Sequence, residues 1–335
     1  MLRLFCNWFF LLIVSYCSVA AQPLEQQIDS LQQALRTAND TTQILILLEI
    51  SKRKAIKELD EAVKLANQAL GRSHQSNYVH GKVASYCLLI DFNLILLNDF
   101  SRAKAYLDSA FLQEEVVHAH NKRLIYNAAG LYYTSLGKMD ESYYWFLKSL
   151  RLTRDLEDET ATITYKMLGY NSNMLGKYED AKHYFKLCIR LAEKIGRKSL
   201  VGASLTNLAT VYGHLGEYDS ALFYLRQLYA FELKYGNPND NVLLLSNLGT
   251  AHFELNSPDS AFYFFHKSLQ AAHRVNLREG FDGIYSSLAA YHQNNFPDSA
   301  IYYARKALAI PGDISIYSKE KITKILAGAF AAQKK

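Results

Sequence analysis

Several features that would indicate a nucleic-acid-binding protein, a membrane protein or an enzyme are missing from this sequence. Positive and negative charges are mixed along the chain without a block of one sign, and the formal net charge is +5. We therefore expect no binding to nucleic acid or to an anionic membrane surface. The sequence has no Gly-rich phosphate loop, no H-E-x-x-H, no paired C-x-x-C and no G-x-S-x-G. It accordingly predicts no catalytic residues, no cofactor and no enzyme activity.

Residues that could bind a metal or act in catalysis are present but scattered. His118 and His120 are two residues apart, which would place them on different faces of a helix, so no metal site is predicted. Asp219, Asp259 and Asp298 recur at the starts of predicted helices. A carboxylate there caps free amides and suits the helix dipole, so we interpret these aspartates as structural.

Long apolar runs are also missing, except at the N-terminus. Arg3, the apolar run from Leu4 to Val14 and the small residues Ser18–Ala21 are typical of a secretory signal peptide. We expect that signal at residues 1–21, with cleavage after either of its last two alanines. The run has about half of the roughly 20 residues that a membrane-spanning helix needs. The mature protein is therefore expected in the periplasm or outside the cell, without stable membrane insertion.

What the sequence does contain is one motif repeated at a fixed interval. Residues Leu175–Gly196 (LGKYEDAKHYFKLCIRLAEKIG) have altered copies beginning at Leu136, Leu215 and Leu255, and a shortened copy from Asn294. One small residue per copy marks the register, at steps of 39, 40, 40 and 39 residues: Ser142, Ala181, Ala221, Ala261 and Ala300. A period near 40 predicts stacked supersecondary units, and hence an all-α solenoid.

The same register extends towards the N-terminus through Ala103 and Ala62. We therefore predict about seven antiparallel helix pairs over residues 41–310, with Asn39 to Thr42 as the N-cap cluster of the first pair. An amphipathic lead-in helix is predicted within residues 22–40, and a capping helix and tail at residues 311–335, after the break at Pro311.

Each unit is predicted to be a helix A and a helix B. In the unit around Gly176, helix A carries Gly169 and ends near Leu175, and Gly176 permits the tight turn. Helix B follows with Tyr178, Ala181, Phe185 and Cys188 on one face. We expect Gly169 and Ala181 to be small because the paired helices approach closely there, and we interpret most aromatic residues as packing between helices.

Cysteine is scarce, which bears on both disulfides and lipid anchoring. Beyond the signal peptide only Cys87 and Cys188 remain, and they lie too far apart in a linear stack for the roughly 7 Å that a disulfide allows between Cα atoms. We expect two small buried thiols. Cys17 is an alternative lipoprotein acylation site, although the bulky Tyr16 precedes it where such signals have a small residue.

The repeat resembles the tetratricopeptide repeat. That family has Leu-Gly or Leu-Ala on helix A and Gly-x-Tyr-x-x-Ala at the turn and helix B, which Leu168-Gly169, Gly176-Lys177-Tyr178 and Ala181 match. Leu208-Ala209 and the residues that follow match it again. The family's basic repeat has about 34 residues, so this chain is similar to its longer variants. The resemblance implies a right-handed superhelical solenoid with a protein or peptide ligand of unknown identity; the oligomeric state does not follow from the sequence.

The signal peptide, lead-in and repeats together resemble the sensory N-terminal half of certain Bacteroidetes signalling proteins. In those proteins a membrane helix and a histidine kinase or a helix-turn-helix follow the repeats, whereas this chain stops at Lys335 with neither. Two functions stay open. One is a non-catalytic scaffold or adaptor outside the cytoplasm. The other is the extracytoplasmic sensor module of a signalling protein whose output part is absent or separately encoded.

The resemblance also implies a binding groove, because helix A lines the concave side in this family. Asn207 and Asn247 occupy the same position 40 residues apart, and in peptide-binding members an asparagine there bonds the ligand backbone. The alternative is that both lie on the helix surface or bond within the stack. The neighbours expected on the same face are Lys166, Tyr170, Asn173, Thr206, Thr210, His214, Ser246, Thr250 and Phe253.

Two further expectations concern what this groove binds. The pattern of the chaperone-binding clamp is not matched, because Leu243 stands where a lysine is required and Tyr170 where an asparagine is required. Binding to chaperone tails is therefore disfavoured. Leu88, Phe92 and Ile95 are predicted to make the N-terminal end of the groove more apolar.

Overall fold

A computed structural model describes residues 24–55, 57–153, 158–275, 281–310 and 316–333. Within these ranges the regular secondary structure is sixteen α-helices and one short 3₁₀ helix, Glu114–Val116, so the predicted all-α class is confirmed. The predicted signal peptide, including Cys17, and the predicted break at Pro311 lie outside the described residues. No helix in the described ranges combines the length and the apolar character that crossing a membrane requires.

The chain divides into two compact units, the first ending at Val201 and the second beginning at Gly202. The first unit contains nine whole helices: α1 (Leu24–Thr37), α2 (Asp40–Lys54), α3 (Leu59–Gln75), α4 (Val79–Ile95), α5 (Phe100–Phe111), α6 (Ala119–Ser135), α7 (Met139–Arg151), α8 (Glu159–Met174) and α9 (Tyr178–Lys194). Helix α10 (Lys198–His214) begins in the first unit and ends in the second. Six further helices follow: α11 (Tyr218–Tyr235), α12 (Val242–Glu254), α13 (Pro258–Arg274), α14 (Phe281–His292), α15 (Pro297–Leu308) and α16 (Ile316–Gln333).

Helices of the first unit pack as consecutive pairs, α2 with α3, α4 with α5, α6 with α7 and α8 with α9. The lead-in α1 packs against α2. Asn39 begins the first pair as predicted, because its side chain accepts a hydrogen bond from the amide of Thr42. Asp99 and Asp158 cap α5 and α8 in the same way.

Five of the turns between helices A and B contain a residue with a positive φ angle. Gly176 has φ +71°, and the corresponding turns contain Gly137 at +73° and Gly216 at +73°. Asparagine is among the non-glycine residues that most often adopt a positive φ angle. It replaces glycine at Asn98 (φ +55°) and Asn256 (φ +53°). The prediction for Gly176 is therefore confirmed, and the asparagines explain how the turn persists in copies that lack the glycine.

A close approach between the paired helices explains a second glycine of the repeat. A Cβ atom added to Gly169 would lie 2.8 Å from the ring of Phe185, which is 1% exposed. Gly130 faces Phe146 and Gly249 faces Phe265 in the same manner. In the intervening copy, where the small residue is Ala209, the residue sixteen positions later is the smaller Leu225. The expected close approach is thus confirmed, with the phenylalanine ring as its cause.

In the second unit, α12 packs with α13 and α14 with α15. Helices α10 and α11 pair through the stacked rings of Tyr212 and Tyr224, whose centroids are 5.3 Å apart. The final helix α16 packs on α15 and α14, where Ile322 and Ile325 join the buried cluster around Tyr285. Together with the four pairs of the first unit, these make the seven predicted helix pairs and the predicted capping helix.

Two smaller expectations have different outcomes. Cys188 is fully buried, as predicted, whereas Cys87 is only half-buried, and no disulfide joins them. The prediction that the recurring aspartates cap helix B is wrong: Glu217, Ser257 and Phe296 hold the N-cap positions, and the aspartates lie inside the first helical turn. An acid in the first turn still interacts favourably with the helix dipole, so the structural interpretation stands.

Candidate functional site

The predicted site residues of the second unit lie on α10 and α12. Asn207 and Asn247 are both half-buried, and neither side-chain amide hydrogen-bonds to any other residue within the described parts of the chain. Asn171 of the first unit shows the opposite arrangement: it is fully buried, and its amide donates to the Ser142 hydroxyl at 2.6 Å. Asn207 and Asn247 are thus accessible amides with unused donor and acceptor capacity.

The hydroxyl groups beside these asparagines are already committed as donors. The Thr210 hydroxyl donates to the Thr206 carbonyl at 3.0 Å, and the Thr250 hydroxyl donates to the Ser246 carbonyl at 3.1 Å. Thr206, which is 4% exposed, donates to the Gly202 carbonyl. Because each hydroxyl has one hydrogen, these threonines can offer a ligand only oxygen lone pairs.

Two predicted residues lie at the C-terminal ends of the same helices. His214 is exposed at the end of α10. Phe253 is 36% exposed near the end of α12, and its ring contacts that of Tyr291 on α14 at a centroid distance of 6.3 Å. Tyr291 was not predicted. Its contact with Phe253 makes it a candidate site residue that only the packing of α14 identifies.

The three remaining predicted residues lie on α8, in the first unit, and all are half-buried. Lys166 has its amine in a desolvated position, and this burial lowers the pKa of Lys166. Tyr170 packs at the edge of the core cluster that contains Phe146. Asn173 lies one residue before the end of α8.

The expectation of an apolar N-terminal end of the groove is wrong in part. Leu88 and Phe92 are 6% and 5% exposed and belong to the core cluster that also contains Leu47 of α2. Ile95 is half-buried. The half-buried residue between them on α4 is Asp91, an acid.

Asp91 is a candidate site residue that the sequence reading missed. Counting the repeat back from Tyr170 through Leu131 leads to Asp91, so extending the register would have found it. Burial raises the pKa of Asp91 to about 7, although the positive charge of Lys52 acts in the opposite direction. A carboxyl group with such a pKa changes its charge near neutral pH, which makes this position sensitive to the charge of anything bound beside it.

No group of three or more histidine, cysteine, aspartate or glutamate side chains that could hold a metal ion occurs among the described residues.

The comparison with known families agrees with the geometry of the pairs. Residues 159–234, which span α8 to α11, match the model of the tetratricopeptide repeat. Residues 159–234 therefore contain tetratricopeptide repeats. A search of curated proteins finds no match for the sequence.

Several solved structures share this fold at low sequence identity. The apo form of the quorum sensor NprR from B. thuringiensis is 15% identical, with a TM-score of 0.66 over 86% of this chain and 79% of the other. A tetratricopeptide repeat protein from Parabacteroides merdae is 17% identical, with a TM-score of 0.53 over 86% and 98% of the two chains. Because these identities are so low, the likeness establishes the fold alone.

A third similar structure is a signal-transduction ATPase with a tetratricopeptide repeat sensor from Pyrococcus horikoshii. It is 17% identical, with a TM-score of 0.59 over 86% of this chain, which spans 42% of that protein. Structures with sensor functions are therefore among those that this chain resembles in fold.

Proposed function

We propose that this tetratricopeptide repeat protein is a non-catalytic scaffold that binds a protein or peptide through the helix A face containing Asn207 and Asn247. The burial and the hydrogen bonding of these two amides support the proposal. They recur one repeat apart, are half-buried, and hydrogen-bond no other described residue. This argues against bonding within the stack. Ligand binding and a solvated position on the helix surface both fit it, and the variants below distinguish these two interpretations.

The chemistry of the face suits an extended peptide backbone. A peptide unit presents one N–H donor and one carbonyl acceptor, and a side-chain amide can satisfy both at once. Each such hydrogen bond contributes about 0.5–1.5 kcal/mol when water is exchanged for a protein partner. The lone pairs of Thr210 and Thr250 add acceptors for further backbone amides.

We further propose that the protein acts as an adaptor in the periplasm or outside the cell. The signal-like N-terminus supports this location, and the tetratricopeptide repeats support a protein partner. Lipid attachment through Cys17 is the lesser alternative for the same compartment.

The test uses residues 22–335 as bait in an envelope extract of the source cells, followed by mass spectrometry of what co-elutes and a measurement of its affinity. The double variant Asn207→Ala, Asn247→Ala should weaken binding of the captured partner by about 1–3 kcal/mol, the sum of two hydrogen bonds. The matched control is Asn67→Ala on α3, since Asn67 is exposed and donates to the Val63 carbonyl of its own helix.

Three results distinguish the possibilities. A loss of affinity in the double variant, with Asn67→Ala unchanged, supports the proposed face. Equal affinity of the double variant and the unmodified protein rules out these asparagines as the site. Hydrolase or transferase activity of the purified chain itself would overturn the non-catalytic assignment.

The second candidate is the sensor module of a signal-transduction protein. It is favoured by the fold likeness to the quorum sensor and to the ATPase with a repeat sensor. The DNA immediately downstream separates the two functions. A continuing reading frame, or an adjacent kinase or regulator gene, would favour the sensor, and an unrelated neighbourhood would favour the adaptor.

A further inference from the structure

A cleft of about 500 Å³ lies between α15 and the capping helix α16, away from the helix A residues described above. Ile301, which is 7% exposed, contributes to its buried side. Tyr302 and Phe330 line it as well, and these residues are 52% and 44% exposed, so both leave apolar surface open to solvent. The Gln333 side chain, which also lines the cleft, donates a 2.5 Å hydrogen bond to Asp298.

Two cations, Arg305 and Lys306, line the same cleft. The Lys306 amine lies 4.8 Å from the centre of the Tyr302 ring and 5.7 Å from that of Tyr285, and these contacts restrain its position. The Tyr302 side chain beside it raises the pKa of Lys306, so the amine is protonated at neutral pH.

The ionisable lining of this cleft is two cations and one acid, so one positive charge is in excess. Among the described residues, no carboxylate forms an ion pair with Arg305 or Lys306. Asp298 is the acid that lines the cleft, and it accepts the hydrogen bond of Gln333. Two cations therefore lie beside two exposed aromatic rings, which is complementary to an anion attached to an apolar group.

We propose that this cleft binds a small carboxylic acid with an aromatic or aliphatic body. The carboxylate would lie at Arg305 and Lys306, because a guanidinium group presents paired donors that match two carboxylate oxygens. The apolar body would lie between Tyr302 and Phe330. The volume falls within the range of about 300–1,000 Å³ that is usual for small-molecule sites.

The proposal is tested with hydrocinnamate as the probe and residues 22–335 as the protein. Saturation-transfer NMR should show contact with the phenyl protons, and calorimetry should give a saturable isotherm. The neutral isostere hydrocinnamide should bind about tenfold more weakly or worse, because it loses the charge-assisted hydrogen bonds. Equal binding of acid and amide would overturn the assignment of the carboxylate.

Substitutions of the lining residues test whether hydrocinnamate binds in this cleft. The double change Arg305→Gln, Lys306→Gln should weaken hydrocinnamate binding about tenfold or more, and Phe330→Ala should weaken binding of the phenyl group. Lys321→Gln is the matched control, since Lys321 is exposed on α16 and does not line the cleft. Circular dichroism confirms that each variant is folded. A loss in the control as large as in the double variant would overturn the site.

The source of the ligand and the independence of the site are tested in the same way. An acetylated peptide ending in phenylalanine carries the same carboxylate and ring. If only that peptide binds, the proposed free acid is wrong and the cleft is a peptide site. Asn207→Ala with Asn247→Ala should leave hydrocinnamate affinity unchanged, so this proposal and the proposed helix A face can fail separately.

Discussion

The guanidinium group of Arg123 on α6 forms two hydrogen bonds with the carboxylate of Asp158, the N-cap of α8, and the bond from Nη2 to Oδ1 measures 2.7 Å. Asp158 also accepts the amide hydrogen of Ala161. The pair thus joins consecutive repeats and caps a helix with the same carboxylate. The Arg123 side chain is 5% exposed, so the carboxylate of Asp158 compensates a positive charge that has little contact with water.

Arg123→Ala should lower the free energy of unfolding by about 2–3 kcal/mol, somewhat below the usual cost of breaking a fully buried pair, because Asp158 retains contact with water. Urea denaturation monitored by circular dichroism measures the change. Arg102→Ala is the control: its pair with Asp99 is exposed on both sides, with a 3.8 Å separation, and should contribute less than about 1 kcal/mol. Equal losses in the two variants would contradict the buried pair.

Acidification should remove the contribution of Asp158. Burial of this carboxyl acts to raise its pKa, but the hydrogen bonds from Arg123 and from the Ala161 amide outweigh it and hold the pKa of Asp158 below its usual value. A lowered folded-state pKa contributes stability above the unfolded value of about 3.9, and that stability is lost as the pH falls through the folded pKa. The stability difference between the protein and Asp158→Asn should therefore shrink between about pH 5 and pH 2. A constant difference across that window would be inconsistent with this account.

Gly169→Ala should destabilise the α8–α9 pair by about 1–3 kcal/mol, because the new methyl group meets the Phe185 ring. Adding Phe185→Leu should recover part of the loss, since it recreates the Ala209 and Leu225 combination of the next copy. Gly213→Ala is the control, because nothing lies within 4 Å of its added Cβ atom. Thermal unfolding of the unmodified protein, of Gly169→Ala, of Phe185→Leu and of the double variant gives the coupling free energy between the two positions. Additive effects would show that the Phe185 ring is not the obstacle.

Asp91→Asn should stabilise the protein at pH 8 and have little effect at pH 4. Because burial raises the folded pKa of Asp91 to about 7, the folded state holds a proton that the unfolded state loses near pH 4, and stability falls as the pH rises between these values. The gain at pH 8 should be on the order of 1 kcal/mol, since the side chain is only half-buried. Urea midpoints at both pH values measure it. The exposed Asp60→Asn on α3 should show no such difference.

Both thiols should react slowly in the folded protein. Cys188 is fully buried, and burial raises the pKa of Cys87, with the negative charge of Asp91 adding to the effect. A thiolate is the reactive form, so a chromogenic disulfide reagent should label both residues rapidly only after unfolding. Asp91→Asn should speed the labelling of Cys87 and leave Cys188 unchanged. Rapid labelling of Cys188 in the folded protein would contradict its burial.

The local features of the repeat could be predicted from the sequence. Gly176 at a positive φ angle, Asn39 at an N-cap and the pairing of α8 with α9 each depend on residues within one repeat. The cap by the recurring aspartates was predicted wrongly, because each helix begins one residue before the acid. For example, Tyr218 precedes Asp219 as the first residue of α11.

The exposure of the helix A residues could not be predicted in the same way. Leu88 and Phe92 share a helix with Asp91, yet they are buried because α2 packs over them. Asn171 is bonded through Ser142 on another helix, whereas Asn207 and Asn247 have no described partner. The helix A segments of the repeats therefore contain core, structural and accessible positions.

By itself, the sequence determined the helical class, the period near 40 residues, the seven pairs and the turns between their helices. These follow from apolar spacing and turn residues that act over a few neighbouring positions. The tertiary structure alone decided which amides stay accessible, why the pKa of Asp91 is raised, and that Arg305 and Lys306 share a cleft with Phe330. Each of these depends on contacts and desolvation between helices that are distant along the chain.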